Sequence, residues 1–168
     1  GCPSAAASQF LRPTKPSYDN RPFNERRLAD GRLAHRKIMP VWQLLGRGAV
    51  GGQMLLGLPM LHRLALHPIF GQRVKFWPFE TGWDSDLTGV VLAEMWPSLN
   101  DHRSQPHLIK DARQVAATRD WLLDADAAAR LQTCFAQPDD LTKAALRRCQ
   151  HEEGWIVGAA VASGAARH

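Results

Sequence analysis

Thr88-Gly-Val-Val-Leu-Ala-Glu-Met-Trp96 is the stretch on which the fold turns. Its apolar residues run together without alternation, as in a strand covered on both faces of a sheet. Such coverage needs helices, and the pattern on either side supplies them. Upstream, Arg73 to Glu80 reads as a neighbouring strand, joined through Gly82-Trp-Asp-Ser-Asp86. Further back, Val41 to Leu45 reads as a third, shorter strand ending in glycines. From Gly51 the period becomes helical, with Met54, Leu58, Leu61 and Ala65 on one stripe and His62 beside it as a packed or hydrogen-bonded side chain. Downstream, a polar loop over 100–107 leads to a helix from about Lys110, with Ala112, Val115, Ala116 and Leu122 facing inward. Two more helical segments fit 125–136 and 139–152. Asp139 or Asp140 suits the cap of the second, and Arg147 and Arg148 suit its C-terminal end. Strand, helix, two strands and then helices is an α/β or α+β layout.

The 168 residues allow one domain with one sizeable core, expected over 23–162. Residues 1–22, punctuated by Pro3, Pro13, Pro16 and Pro22, read as an extended arm, and 163–168 as a frayed tail. A net charge of +5 comes from scattered arginines, densest at Arg26, Arg27, Arg32, Arg36 and Lys37. That group suits phosphates, an acidic partner or a plain solvated face; no aromatic residues interleave with it. Cys2, Cys134 and Cys149 have no paired spacing, which excludes a zinc motif and suggests reduced thiols in the cytoplasm. No apolar run is long enough for a membrane span and no signal peptide is present, so a cytoplasmic protein without a membrane partner is expected.

Gly46-Arg-Gly48-Ala-Val-Gly51 matches Gly-x-Gly-x-x-Gly between a predicted strand and a predicted helix. In that context backbone N–H groups can hold a pyrophosphate, which makes Gly46, Gly48 and Gly51 a candidate cofactor-binding loop. The mechanism also asks for a ribose-binding acid about 20 residues on. Residues 66–72 contain no carboxylate. The competing reading is a tight turn that packs closely because glycine lacks a Cβ.

Eight segments in order carry a family resemblance: Gly1-Cys-Pro, Pro40 to Gln53, Gly57-Leu-Pro-Met-Leu, Trp77-Pro-Phe-Glu, Ala93 to Leu99, Ile109-Lys-Asp, Gln114-Val and Glu153-Gly-Trp-Ile-Val-Gly158. Together they resemble the DUF429-like proteins, from the first residue to about 158. The resemblance implies an α/β fold of RNase H-like type, a mixed sheet flanked by helices. This chain would be its C-terminal part, incomplete without an N-terminal half whose first strand carries an acid. That half is the expected partner, with nucleic acid as the substrate class. Some relatives are labelled for molybdenum-cofactor or cobalamin biosynthesis, which keeps a nucleotide- or cofactor-binding role open beside a non-catalytic α/β module.

RNase H-like chemistry gathers carboxylates around Mg²⁺ for phosphodiester hydrolysis. Under the resemblance Glu94 and Asp111 are the expected catalytic residues, with Glu80 as a further metal ligand and Glu25 a weaker candidate. Glu94 is singled out because a carboxylate inside an apolar strand is costly unless paired or metal-bound. Asp111 suits a helix start equally well as a capping or dipole-complementing acid. Without the first-strand acid, the chain by itself is expected to be inactive. Trp77, Trp96 and Trp155 read as core or rim aromatics, while Trp42 and Trp83 are candidates for stacking on a base.

Overall fold

The computed structural model describes residues 24–33, 38–44, 49–83 and 87–160. The chain divides into two compact units, Gly1–Val74 and Lys75–His168, where one domain was expected over 23–162. The arm expected at 1–22 and the tail at 163–168 lie outside the described residues.

In the first unit, helix α1 (Leu28–Arg32) is held by its own N-terminus. Asp30, buried in the first turn, accepts the Arg27 backbone N–H at 3.0 Å and the Arg27 guanidinium at 2.9 and 3.2 Å. The carboxylate thereby satisfies an amide that the helix leaves orphaned, and pairs its own charge. The broad helix expected from 23 to 37 is confined to these five residues among those described. After it, the Val41 N–H donates to the Glu25 carbonyl at 2.9 Å.

The strand expected at 41–45 is not formed over the described residues 41–44. There Gln43 N–H bonds Pro40 O and Leu44 N–H bonds Trp42 O, each at 3.0 Å. Those bonds are local turns that use the groups a strand would offer to a neighbour. Helix α2 (Gly51–Ala65) follows, as the apolar spacing predicts. Its stripe is not buried: Met54, Leu58 and Leu61 are exposed, as is His62. Each large apolar side chain left in water forgoes about 1.5–3 kcal/mol of burial.

The second unit is built around a small two-stranded sheet of β1 (Val74–Phe76), which begins at the unit boundary, and β2 (Val90–Leu92). Both are shorter than the runs that predicted them. β1 gives way to turns at Trp77-Pro78, a cis peptide, after one further bond from Trp77 N–H to Leu92 O at 2.9 Å. Beyond β2 the chain makes a parallel bridge between Glu94 and Ile156. A 3₁₀ turn (Pro97–Leu99) leads into the loop and then helix α3 (Lys110–Ala127).

Helix α3 buries Ala116, Ala117, Thr118 and Ala125, so the inward face is turned from the one expected, and Val115 is exposed. The helix expected over 125–136 is the end of α3 followed by a 3₁₀ turn at Leu131–Phe135. Helix α4 (Lys143–Arg148) is capped by Thr142, whose hydroxyl accepts the Ala145 N–H at 3.3 Å, not by Asp139 or Asp140. It widens into a π turn over Cys149–Glu153 and stops at Gly154, φ 74°. Arg147 and Arg148 occupy its last turn, as the dipole favours.

The core of this unit is the run 154–159, every residue of which is buried. Trp155 meets Trp83 edge-on at 6.1 Å, Trp83 meets Trp77 at 5.7 Å, and Trp77 meets Phe135 at 5.4 Å. Edge-to-face contacts of this kind add to the area that the rings bury. Among the described residues, no helix is long and apolar enough to cross a membrane.

Candidate functional site

Glu94 sits just past β2 with its backbone fixed and its carboxylate exposed. The Val157 N–H donates to the Glu94 carbonyl at 3.0 Å, while the side chain lies on the surface. The argument that Glu94 must be metal-bound because it is buried therefore does not apply; the acid is already in water. Alternation explains this, since a side chain can point out of a segment whose backbone is enclosed.

Asp111 stands in the first turn of α3 and is also exposed. The helix begins after Ile109, and no side chain caps it, so Asp111 is not its cap. Its charge complements the positive end of the helix. Glu80 lies in the turn after β1, where its carboxylate accepts the Phe76 N–H at 2.8 Å and closes the turn. Glu25 accepts the Trp42 indole N–H at 3.4 Å, while Arg26 donates to the Ile38 carbonyl at 2.6 Å. Among the described residues no three His, Cys, Asp or Glu side chains come together to hold a metal ion, so Glu80, Glu94 and Asp111 do not form such a group.

What ties the Glu94 and Asp111 segments is a contact the sequence did not announce. The Gln114 side-chain amide donates to the Ser98 hydroxyl at 2.6 Å. Ser98 lies four residues after Glu94, and Gln114 one helical turn after Asp111, so this bond docks the 3₁₀ turn on the start of α3. Around it are three N–H donors buried without a protein acceptor: Trp96 Nε1, Asn100 Nδ2 and Arg113 Nε. Lys110 adds a cation at the first helical position. Further along, the Gln105 amide donates to Asp120 at 2.8 Å and anchors the intervening loop on α3. The guanidinium of Arg119 and then the amide of Gln105 hold the Asp120 carboxyl below its ordinary value.

Of the glycine loop, Gly46 and Gly48 lie outside the described residues. Gly51 is buried at the start of α2, and a Cβ there would run into the Leu44 backbone carbonyl. Its glycine is thus required by close packing of the preceding turn. Trp83 is part of the tryptophan cluster, and Trp42 is engaged with Glu25, so neither side chain stands free as a stacking platform. Trp77 and Trp155 are buried, as expected of core aromatics, and Trp96 is half-buried.

No protein-family model matches the chain, and comparisons with curated proteins and with solved structures also return no match.

Proposed function

We propose that this chain is part of an RNase H-like, metal-dependent phosphodiester-cleaving protein in which Glu94 and Asp111 are the acids of the reacting centre. The observation that carries the reading is the Ser98–Gln114 bond, which draws together the two segments bearing these carboxylates. Both carboxylates are exposed and so accessible to a metal and a substrate. Mg²⁺ keeps several waters and is bound by one or two carboxylates together with substrate phosphate oxygens, a demand that two acids on neighbouring segments fit. When bound, the metal would supply a polarised phosphoryl oxygen and an acidified water. Glu80, committed to the Phe76 amide, is outside this arrangement.

A phosphodiester brings only hydrogen-bond acceptors. The neighbourhood of the Ser98–Gln114 bond carries donors without acceptors, and Lys110 and Arg113 offset the repulsion between the acids. The resemblance assigns a further acid to a preceding strand, so the reading concerns a protein longer than the residues above. Its test is cleavage of labelled single-stranded DNA, RNA and an RNA–DNA hybrid by the protein expressed with its in-frame upstream coding sequence. Mg²⁺-dependent cleavage that is lost on Glu94→Gln supports the reading; an unchanged rate in that variant overturns it.

A further inference from the structure

Helix α2 is the largest unexplained feature of the first unit. Met54, Leu55, Leu56, Leu58, Met60 and Leu61 are all exposed. At 100° per residue these six point in every direction around the axis, not along one stripe. Helices apolar all round belong either inside a protein core or across a bilayer. Fifteen residues make about 22 Å of helix, short of a hydrocarbon layer of about 30 Å. A helix lying in a membrane surface needs a strongly charged face opposite its apolar one, and α2 offers only Gln53, His62 and Arg63. Gly52 has open space where a Cβ would be, and so does Gly57, which leaves room for another backbone to approach closely.

The charge around the helix says what kind of polypeptide would cover it. From Gly31 to Phe79 the chain has seven Lys or Arg and no Asp or Glu. The whole first unit holds eleven Lys and Arg against three Asp and Glu, a balance of +8, while the second holds ten against thirteen, a balance of −3. A second copy packed through the same helix would set like charge against like. An acid-bearing segment would meet the opposite sign.

We infer that α2 is an internal docking helix, enclosed by an apolar polypeptide segment that carries acidic residues and is encoded in frame ahead of Gly1. The source of the segment rests on the functional reading above; the need for a polypeptide cover rests on the helix alone.

The test compares residues 1–168 with the protein expressed together with its upstream coding sequence, using amide hydrogen exchange over 53–62. The expected result is exchange about 100-fold slower in the longer protein. A Met60→Cys thiol should react readily with a maleimide in the shorter chain and resist it in the longer one. Equal exchange and equal labelling in the two overturn the inference, as does an upstream frame closed by a stop codon. So does sedimentation of the longer protein with phosphatidylserine vesicles that is lost in Leu56→Glu, which would make α2 a membrane-surface helix. Dimerisation of the longer protein that disappears in Leu56→Glu would assign the helix to a second copy instead. Protection of 53–62 without nuclease activity would leave this inference standing and sink only the functional reading.

Discussion

Glu94 and Val157 are joined backbone to backbone, the Val157 N–H donating to the Glu94 carbonyl at 3.0 Å across 63 residues of sequence. The bond belongs to a parallel bridge with Ile156, which is wholly buried. One residue therefore has two separable parts: a main chain that closes the core and a carboxylate that faces water.

The separation predicts opposite outcomes for two neighbouring substitutions. Ile156→Ala removes buried methyl groups from the centre of the unit and should cost about 2–5 kcal/mol in urea unfolding. Glu94→Gln keeps the backbone bond and should change stability by no more than about 0.5 kcal/mol. A large loss in Glu94→Gln would mean that the side chain, too, is structural.

Gly158 supplies a sharper packing test. It has φ 79°, and a Cβ there would come within 2.8 Å of the Trp121 ring. Gly158→Ala combines a left-handed backbone with a clash against a large ring and should destabilise by roughly 1–3 kcal/mol or more. Adding Trp121→Leu should recover part of that loss by removing the ring. If the double variant is no better than Gly158→Ala, the clash is not the cause.

These positions show what the sequence made legible. Val90 to Leu92 and the helices at 51 and 110 follow from runs long or regular enough to have one physical reading. Val41 to Leu44 did not, because four apolar residues after a proline serve a turn as well as a strand, and only the bond partners decide. Glu94 was recognisable as unusual, yet its exposure depends on the Ile156 bridge, a pairing over a distance that no local pattern encodes. The Ser98–Gln114 bond was invisible for the same reason. The glycine loop was ambiguous until Leu44 was seen against Gly51.

Burial pushes the Cys134 thiol above its ordinary value of 9.0, more than Arg130 and the Thr133 hydrogen bond lower it. A raised value in the folded state means that the proton is held more tightly there than in the unfolded chain. Its contribution is complete below the ordinary thiol range and is lost as pH rises above it. Unfolding midpoints measured from pH 7 to 10.5 should fall in the alkaline limb, and Cys134→Ala should flatten that limb. An identical alkaline slope in the variant would assign it to other groups.

Dinucleotide binding is expected to be absent. The loop lacks an acid at the distance that a ribose requires, and Gly51 is committed to packing on Leu44. Calorimetric titration with NAD(H) and NADP(H) should show no heat of binding at micromolar concentration. Micromolar affinity that vanishes in Gly48→Val would promote the loop to a cofactor site.

The remaining prediction concerns how the two acids are held. If Ser98–Gln114 positions the Glu94 and Asp111 segments, then Gln114→Ala should impair cleavage without touching either carboxylate. A neutral hydrogen bond contributes about 0.5–1.5 kcal/mol, so the fold should survive its loss. Misplacing catalytic groups by about 1 Å can cost on the order of 100-fold in rate. In the protein with its upstream sequence, Gln114→Ala should therefore lower kcat and raise the Mg²⁺ concentration needed for half-maximal rate. Gln114→Glu, which can still accept the Ser98 hydroxyl proton, should restore much of the rate if geometry alone matters. Asp111→Asn should abolish Mg²⁺ dependence instead of shifting it, because it removes a ligand and not a tether. Should Gln114→Ala leave the Mg²⁺ titration where it was while Asp111→Asn moves it, the tether has no part in placing the metal. Should neither variant move it, the two carboxylates belong to the surface of the fold and not to a reacting centre.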